Sequence, residues 1–189
     1  MSKRLFIALP LPAPAIAELH ALVHMCRRQA TAVRWVRPEQ MHITLKFLGD
    51  VEEEREGDIT GALESLTTEK PFMFNLAGVG AFPDQRKPRV IWTGIVTGKD
   101  EVSALAKRVD DLLFAKKFPR EERGFSPHVT IGRVKEPGEF GALWKTVEAT
   151  PFVGMNVDAH QVLLIHSTLT PQGPVYKHLA VFPLRGGAT

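Results

Sequence analysis

Apolar runs and segments of helical periodicity alternate along this chain. Residues 5–9 form an unbroken apolar run with the length of a buried strand. Residues 12–30 then repeat apolar side chains at steps of three and four, which predicts an amphipathic helix. Acidic residues open the segment 52–66, as the dipole of a second helix favours. A third helix is predicted to begin at Asp100, a common capping residue, and a fourth to cover 138–147.

Eight further segments have the apolar or alternating pattern of strands and are bounded by Gly, Pro or charged residues. They cover residues 33–36, 42–48, 72–79, 90–96, 128–133, 152–157, 161–169 and 175–182. The Pro- and Gly-containing turn at 170–174 joins the last two as a hairpin. Because several strands are direct neighbours in the chain, we predict an α+β fold with antiparallel pairing rather than a doubly wound parallel sheet.

The order of the elements is coarsely repeated. Residues 5–95 and 100–182 each contain a helix, a strand with the pattern His-x-Thr, a second helix and a pair of strands. This similarity predicts a single domain over residues 1–189 that consists of two pseudo-symmetric lobes.

The two His-x-Thr strands are the main candidates for chemistry. Their sequences read MHITLK and PHVTIG, and their histidines, His42 and His128, are 86 residues apart. Because residues i and i+2 of a strand point to the same face, His42 shares a face with Thr44, and His128 with Thr130. The apolar residues between them point to the opposite face and are expected to enter the core.

Two such strands that face one groove would present two imidazoles and two hydroxyls. An unperturbed imidazole titrates near neutral pH, so one ring can take a proton from water while the other donates one to a leaving oxygen. Threonine hydroxyls can donate hydrogen bonds to the non-bridging oxygens of a phosphate between the rings. Displacement at phosphorus is roughly in line, which suits two catalytic groups on facing strands.

A structural role is the usual reading of a single His-x-Thr in a strand. Here each half contains one copy, and each copy follows a turn with a proline, Pro38 or Pro127. The repetition favours a functional pair over two unrelated core strands.

Other histidines are weaker candidates. His20 and His24 are four residues apart on a predicted helix, but no HExxH pattern accompanies them, so we expect surface positions. His160, His166 and His178 lie in or beside late strands and are expected to be structural. The sequence contains no glutamate or cysteine cluster and no P-loop, so we expect neither a catalytic metal nor an ATP cofactor.

Composition narrows the class of protein. The chain has 189 residues, 44% of them hydrophobic and 24% charged, with a net charge of +3 and a pI of about 9.1. This is a globular, mildly basic composition that is compatible with an anionic ligand. The single cysteine, Cys26, cannot form an intrachain disulfide, and prolines interrupt the first apolar run, which is too short for a signal peptide or a membrane span. We therefore expect a cytoplasmic protein.

The sequence resembles the two-histidine (2H) phosphoesterase superfamily, and within it the bacterial and archaeal RNA 2′,3′-cyclic phosphodiesterases, also called 2′-5′ RNA ligases. The resemblance spans nearly the whole chain, and the paired His-x-Thr motifs are specific to the superfamily. The stretches that carry it read RLFIALPLP, WVRPEQMHITLKFLGDV, FSPHVTIGRV and STLTPQGPVYKHLAVFPL.

This resemblance implies a bilobal fold in which two antiparallel sheets line a central groove, with helices outside. It also implies that an RNA 2′,3′-cyclic phosphate end, or a nucleotide 2′,3′-cyclic phosphate, is hydrolysed to a 2′-phosphate without a metal or nucleotide cofactor. His42 resembles the general acid and His128 the base. The substrate-binding positions implied by the resemblance are Thr44, Thr130, Arg133 and Phe47.

Strict strand alternation leaves several of these positions open. It places Phe47 and Arg133 on the face opposite the histidines, so that Phe47 fits a core position as well as a base-stacking one. A bulge at Gly132 is one way to redirect Arg133. Alternation turns Lys46 towards the groove, although a lysine at a strand end is more often simply solvated. Tyr176, the only tyrosine, is a further candidate for the edge of the site.

Three functions remain open at this point. The first is hydrolysis of RNA 2′,3′-cyclic phosphate ends, with 2′-5′ ligation as its reverse. The second is a non-catalytic module that binds RNA ends or nucleotides in the same groove. The third is a phosphodiesterase for small cyclic nucleotides, which the mild basicity of the chain leaves possible. In each case we expect a monomer that does not bind membranes.

Overall fold

The computed structural model describes residues 1–122 and 124–187, which form four α-helices and nine β-strands. The helices are α1 (Ala13–Arg27), α2 (Glu56–Leu63), α3 (Lys99–Ala115) and α4 (Gly141–Ala149). The strands are β1 (Ser2–Pro10), β2 (Val33–Trp35), β3 (His42–Glu52), β4 (Phe72–Phe82), β5 (Val90–Thr97), β6 (His128–Val134), β7 (Met155–Ala159), β8 (Gln161–Thr170) and β9 (Gly173–Pro183). Within the described ranges, no helix is both long enough and apolar enough to cross a membrane.

Two predicted boundaries differ from the structure. The second predicted helix is regular only over Glu56–Leu63, because β3 continues further than expected and short 3₁₀ turns flank the helix. The strand predicted at 152–157 begins only at Met155. Gly154, with φ of +90°, lies so close to β4 that a Cβ there would be 1.9 Å from the carbonyl oxygen of Leu76.

The nine strands form one antiparallel sheet with the order β7-β4-β5-β6-β3-β1-β8-β9, and β2 pairs with β6. At the centre, β3 and β6 pair at one position only, Ile43 with Val129. The sheet therefore consists of two halves, β7-β4-β5-β6 and β3-β1-β8-β9, joined along a narrow seam. These halves correspond to the two predicted antiparallel sheets, and the predicted α+β class is confirmed.

Each half of the sheet takes strands from both of the predicted parts of the chain, residues 5–95 and 100–182. β4 and β5 belong to the first predicted half but lie beside β6, whereas β8 and β9 lie beside β1. The predicted division into residues 5–95 and 100–182 therefore does not separate the two halves of the sheet. From the seam outwards, β6-β5-β4-β7 on one side matches β3-β1-β8-β9 on the other. Because of this exchange, neither part of the chain completes a half-sheet alone.

The main core lies between the helices and one face of the sheet. Every helix contributes side chains with no exposed surface, and these pack in one cluster with the apolar alternates of the two His-x-Thr strands. Representative members are Leu19, Ile59, Val109, Leu143, Ile43 and Val129. Full burial of an aliphatic side chain of this size stabilises a fold by about 1.5–3 kcal/mol, so this cluster holds both strands in place.

A β-bulge interrupts each of the two strands that carry the histidines. In β3 the extra residue is Leu45, because consecutive residues of β1 pair with Thr44 and Lys46. In β6 it is Ile131, which β5 bypasses in the same way. Each extra residue lies three positions after its histidine. Beyond each bulge the alternation of the strand is inverted, so two consecutive residues point into the core.

Lys46 is buried because of the first bulge. It is only 4% exposed and points away from the groove. The sequence predicted either a groove-facing or a solvated lysine, and both of these predictions are wrong. Its ammonium group donates hydrogen bonds to Asp110 Oδ1 of α3, at 2.5 Å, and to the carbonyl oxygen of Pro119, at 2.7 Å. The pair ties β3 to α3 and to the segment that follows α3.

Asp110 has partners of its own besides Lys46. Arg120 donates to its Oδ2 at 2.9 Å and the backbone N–H of Glu121 to its Oδ1 at 3.2 Å. Burial acts to raise the pKa of Asp110, but the hydrogen bonds from Lys46, Arg120 and the backbone outweigh burial and leave the pKa below its ordinary value. Asp110 therefore keeps a charged partner, Arg120, if Lys46 is lost, whereas Lys46 has no charged partner besides Asp110 among the described residues.

We expect Asp110→Ala to destabilise the protein more than Lys46→Met. The first change leaves a buried ammonium group with one carbonyl acceptor and should cost about 3 kcal/mol, whereas the second removes the buried charge and should cost about 1 kcal/mol. Urea denaturation at pH 7.5 measures the free energy of unfolding of both variants. Asp58→Ala, which removes an exposed carboxylate, is the control and should change it by less than about 1 kcal/mol. An equal or larger loss in Lys46→Met would contradict this account.

Candidate active site

A cleft of about 530 Å³ opens at the seam between β3 and β6. All four side chains of the two His-x-Thr motifs line it, namely His42, Thr44, His128 and Thr130. The seam brings them together because the antiparallel pair Ile43–Val129 sets the two motifs side by side. The apolar alternates point into the core, so the imidazoles and hydroxyls point into the cleft, as the alternation predicts.

His42 is held from both ring nitrogens. Its Nδ1 lies 2.8 Å from the carbonyl oxygen of Gln40, which can only accept, so Nδ1 carries a proton and donates it. In the neutral ring Nε2 is then an acceptor, and the hydroxyl of Thr44 donates to it at 3.1 Å. The rings of Phe6 and Tyr176 flank the imidazole, with centroids at 4.9 and 5.5 Å.

His128 has a matching anchor in the other half of the cleft. Its Nδ1 donates to the carbonyl oxygen of Ser126 at 2.7 Å, two residues before it, as His42 donates to Gln40. Around Nε2 of His128 no hydrogen-bond partner is found among residues 1–122 and 124–187. The ring lies edge-on to Phe82, with centroids 5.0 Å apart. Both histidines thus present Nε2 to the cleft, but only that of His42 is already engaged.

Burial favours the neutral form of both imidazoles. For His42, burial is the main cause that lowers the pKa to about 4; the hydrogen bond to Gln40 acts against it, and the charge of Arg133 adds to it. For His128, burial likewise lowers the pKa, the bond to Ser126 opposes this, and Arg133 again contributes. A neutral ring with a free Nε2 is the form that a general base needs.

Phe47 and Arg133 both line the cleft, where strict alternation would have placed them on the opposite face. Both lie beyond the bulges at Leu45 and Ile131, so the inverted alternation returns them to the side of the histidines. Phe47 is 58% exposed, and its ring lies 5.8 Å from that of Phe6, so a core role for Phe47 is wrong. The bulge expected near Gly132 is present, with Ile131 as its extra residue.

The arginines make the cleft strongly basic. Arg4, Arg34 and Arg133 line it, and none of its described lining residues is an aspartate or glutamate. Tyr176 lines it too, as the sequence suggested. Burial raises the pKa of Tyr176, while the charges of Arg133 and Arg4 oppose that rise. A cleft with this distribution of charge favours an anionic ligand.

Several cleft residues had no clear signal in the sequence. In the sequence, Phe6 is one member of an apolar run that predicts a buried strand. In the structure its side chain lies on the cleft face of the sheet, in a small apolar cluster formed by residues of β1 and β8. Gln40 holds His42 through its backbone and also donates from Nε2 to the carbonyl oxygen of Pro174 at 2.5 Å. Arg4 lies on β1, far in sequence from both motifs, and Arg34 lies on β2, which reaches the cleft through its pairing with the distant strand β6.

The remaining histidines lie outside the cleft lining. His20 and His24 are exposed on α1, as predicted for surface residues. His160 and His178 are also exposed, and His166 is half-buried on β8. In the part of the chain that the structure describes, no group of three or more His, Cys, Asp or Glu side chains is placed to hold a metal ion.

Comparison with known proteins gives a consistent result. Residues 9–92 and 96–176 match the family model described as LigT like Phosphoesterase. A protein of Archaeoglobus fulgidus named RNA 2′,3′-cyclic phosphodiesterase is 40% identical, with 80% of this chain and 84% of that protein covered. One of Aquifex aeolicus with the same name is 37% identical, with 81% and 82% covered. The crystal structure of a Thermus thermophilus protein superposes with a TM-score of 0.83 at 30% identity, covering 98% of this chain and 100% of that one.

We expect His42 to make the protein less stable in acid. Its pKa is about 4 when folded and about 6.5 in an unfolded chain, so the unfolded state binds more protons between these values. Its contribution to stability is therefore complete above pH 6.5 and is lost as pH falls towards 4. Between pH 7.5 and 5, the native protein should lose about 2 kcal/mol more than His42→Gln in urea denaturation. The control is His20→Gln on the exposed face of α1, and equal losses in the native protein and His42→Gln would contradict the assignment.

Proposed function

The chain belongs to the LigT-like phosphoesterase family, and on that premise we propose that it hydrolyses RNA 2′,3′-cyclic phosphate ends to 2′-phosphates. One observation carries the proposal: two imidazoles, each anchored through Nδ1, present Nε2 to a single basic cleft. In general acid–base catalysis at a phosphate, one ring can act as the neutral base and the other, once protonated, as the acid. The proposed reaction uses no metal and no nucleotide cofactor.

His128 acts as the base in this mechanism. Its Nε2 accepts a proton from water while the water oxygen forms a bond to phosphorus. The proton on Nδ1 stays there and is donated in a hydrogen bond to the carbonyl oxygen of Ser126, which fixes the tautomer and the orientation of the ring. The lowered pKa of His128 supports this role, because the ring is neutral before the reaction begins.

His42 acts as the acid on the opposite side of phosphorus. The bond from phosphorus to the 3′ oxygen breaks as Nε2 of His42 donates a proton to that oxygen, which leaves a 3′-hydroxyl and a 2′-phosphate. A pKa of about 4 is by itself too low for this role. The negative charge of the bound phosphate raises it, and pairing of Arg133 with that phosphate removes one cause of the low value.

The remaining predicted residues hold the substrate. Thr44 and Thr130 donate hydrogen bonds to the non-bridging phosphate oxygens, and Arg133 adds a charge-assisted contact. When substrate binds, the hydroxyl of Thr44 stops donating to Nε2 of His42 and donates to a phosphate oxygen instead. Nε2 is then free to take up the proton that the acid needs. Phe47 stacks on the terminal base at one end of the cleft.

Hydrolysis is the main direction of the proposed reaction. A 5′-hydroxyl can replace water as the nucleophile, and the product is then a 2′-5′ linkage. Water is present at a far higher concentration than any RNA end, so joining dominates only where the two ends are held together. The predictions of a cytoplasmic location and a monomer rest on the sequence and stay predictions.

We expect His42→Ala and His128→Ala each to lose about 10²–10⁴-fold in kcat on RNA that ends in a 2′,3′-cyclic phosphate, because each removes one proton-transfer group. The assay contains EDTA and identifies the 2′-phosphate product by chromatography. His24→Ala, on the exposed face of α1, is the control and should keep the native rate. A native protein that turns over only with added metal would contradict the mechanism.

The same variants separate catalysis from simple binding. If the cleft is only a binding module for RNA ends or nucleotides, the native protein shows no turnover and the two variants lose affinity alone. Under our proposal, both variants still bind the 2′-phosphate product while their turnover falls.

Phe47→Ala should weaken substrate binding with little effect on the chemical step. Stacking of a base on an aromatic ring contributes about 1–3 kcal/mol, so we expect KM to rise by about tenfold at nearly constant kcat. Phe114→Ala removes an equally exposed phenylalanine from α3, away from the cleft, and should change neither constant. A native KM in Phe47→Ala would assign base recognition to another residue.

A further inference from the structure

Two arginines lie side by side at one end of the cleft. β2 pairs with β6 so that Arg34 is directly opposite Arg133, and both side chains are exposed and line the cleft. Residues opposite each other in this way have their Cβ atoms about 4.5–5.5 Å apart on the same face. Throughout the described ranges, no hydrogen bond or ion pair reaches either guanidinium. Like charges in this position destabilise a strand pair, so a bound anion would relieve the repulsion.

The backbone of Arg34 is firmly placed. The backbone N–H of Val36 donates to Ile131 at 2.9 Å, and that of Lys135 donates to Ala32 at 2.8 Å, so β2 is hydrogen-bonded on both sides of Arg34. Gly132 makes this close pairing possible. A Cβ there would lie 2.7 Å from Val33 Cγ1 and 3.1 Å from the ring of Trp35.

Arg133 and Arg34 lie on different strands relative to the histidines. Arg133 is on β6, the strand of His128, and its charge lowers the pKa of both His42 and His128, whereas Arg34 is on β2. β2 occupies the edge of β6 that β3 leaves after the pair Ile43–Val129. A phosphate between the histidines therefore lies within reach of Arg133, and Arg34 extends the basic surface outwards.

The two ends of the cleft differ in chemistry. Because β3 and β6 are antiparallel, Phe47 and Arg133 lie on opposite sides of the pair Ile43–Val129. One end therefore offers aromatic surface from Phe47 and Phe6, with Arg4 of β1 beside it, and the other offers the two adjacent guanidinium groups. The second end is suited to an anion.

We propose that Arg34, beside Arg133, forms a second phosphate subsite that binds an RNA phosphate other than the reacting one. This inference rests on the proposed function, since it assigns that substrate a second contact. A guanidinium group binds phosphate oxygens through two parallel N–H donors, which suits the phosphodiester of an RNA strand. The phosphate belongs either to the linkage before the terminal nucleotide or to the strand whose 5′-hydroxyl attacks in the joining reaction.

The first experiment compares two substrates with Arg34→Gln. One is a nucleoside 2′,3′-cyclic phosphate, which has only the reacting phosphate, and the other is a dinucleotide that ends in the same group. We expect kcat/KM for the dinucleotide to fall by about 10-fold or more, and kcat/KM for the mononucleotide to stay unchanged. Loss of one phosphate contact should also make the plot of log kcat/KM against log salt concentration for the dinucleotide less steep, by about one unit of slope. Arg28→Gln, with the same loss of charge outside the cleft, should behave as native protein.

The second arm distinguishes the two sources of the phosphate. If Arg34 contacts the attacking strand, Arg34→Gln leaves both hydrolysis reactions unchanged and slows the joining of a cyclic-phosphate end to an oligonucleotide with a 5′-hydroxyl. Arg34→Lys should recover part of whichever rate is lost, because it restores the charge without the paired donors.

Three results would overturn the subsite. They are native behaviour of Arg34→Gln in hydrolysis and joining, an equal loss on the mononucleotide and the dinucleotide, and the same losses in Arg28→Gln. Failure of the proposed function looks different, because the native protein would then hydrolyse neither substrate.

Discussion

The active cleft depends on the antiparallel pairing of β3 with β6 at one position, Ile43 with Val129. A single pair of this kind leaves the strands free to diverge on both sides, which opens a cleft within an otherwise continuous sheet. It also sets the His-x-Thr motifs in opposite directions, so that His42 and His128 approach one central point from two strands. The buried apolar alternates fix this arrangement, because a slip of either strand by one residue would turn its histidine into the core.

Burial and positive charge then decide the protonation states. The side chains that surround the imidazoles also exclude water from them, and Arg133 adds a repulsive charge, so both effects favour the neutral rings. A bound phosphate would oppose the effect of Arg133 on the pKa values, since its negative charge compensates the positive charge of the guanidinium group. In the proposed mechanism the cleft therefore couples binding of an anion to protonation of His42, and the substrate itself helps to create the acid. This coupling also explains why the cleft can contain three arginines and no described carboxylate.

The two bulges place different side chains at matching positions of the two His-x-Thr strands. Each bulge lies three residues after a histidine and turns the fifth residue back into the cleft. In β3 that residue is Phe47, beside Phe6, and in β6 it is Arg133, opposite Arg34. The residue before it turns into the core, where Lys46 needs Asp110 as a partner and Gly132 allows β2 to pack closely. The asymmetry of the site thus arises at matching positions of a repeated structure.

The local pattern of the sequence was sufficient for the motifs but not for the residues beyond the bulges. Alternation correctly placed His42 and Thr44 on one face, because a regular strand has a period of two. It failed at Lys46, Phe47 and Arg133, because a bulge is set by pairing with a neighbouring strand, here β1 or β5. The exchange of strands between the two halves of the sheet could not be predicted for the same reason. The sequence shows that β4 and β5 pair with each other, but not that β5 also pairs with β6, which is distant in the chain.

The sequence by itself determined the α+β class, the two catalytic candidates and the apolar faces behind them, since these follow from local periodicity and from the resemblance of the motifs. Only the tertiary structure decided which side chains share the cleft. Arg4, Arg34, Phe6 and Gln40 are brought to it by strand pairings and turns between distant segments. Tertiary contacts also set the pKa of His42, because desolvation depends on everything packed around the ring and not on the residues beside it in the chain.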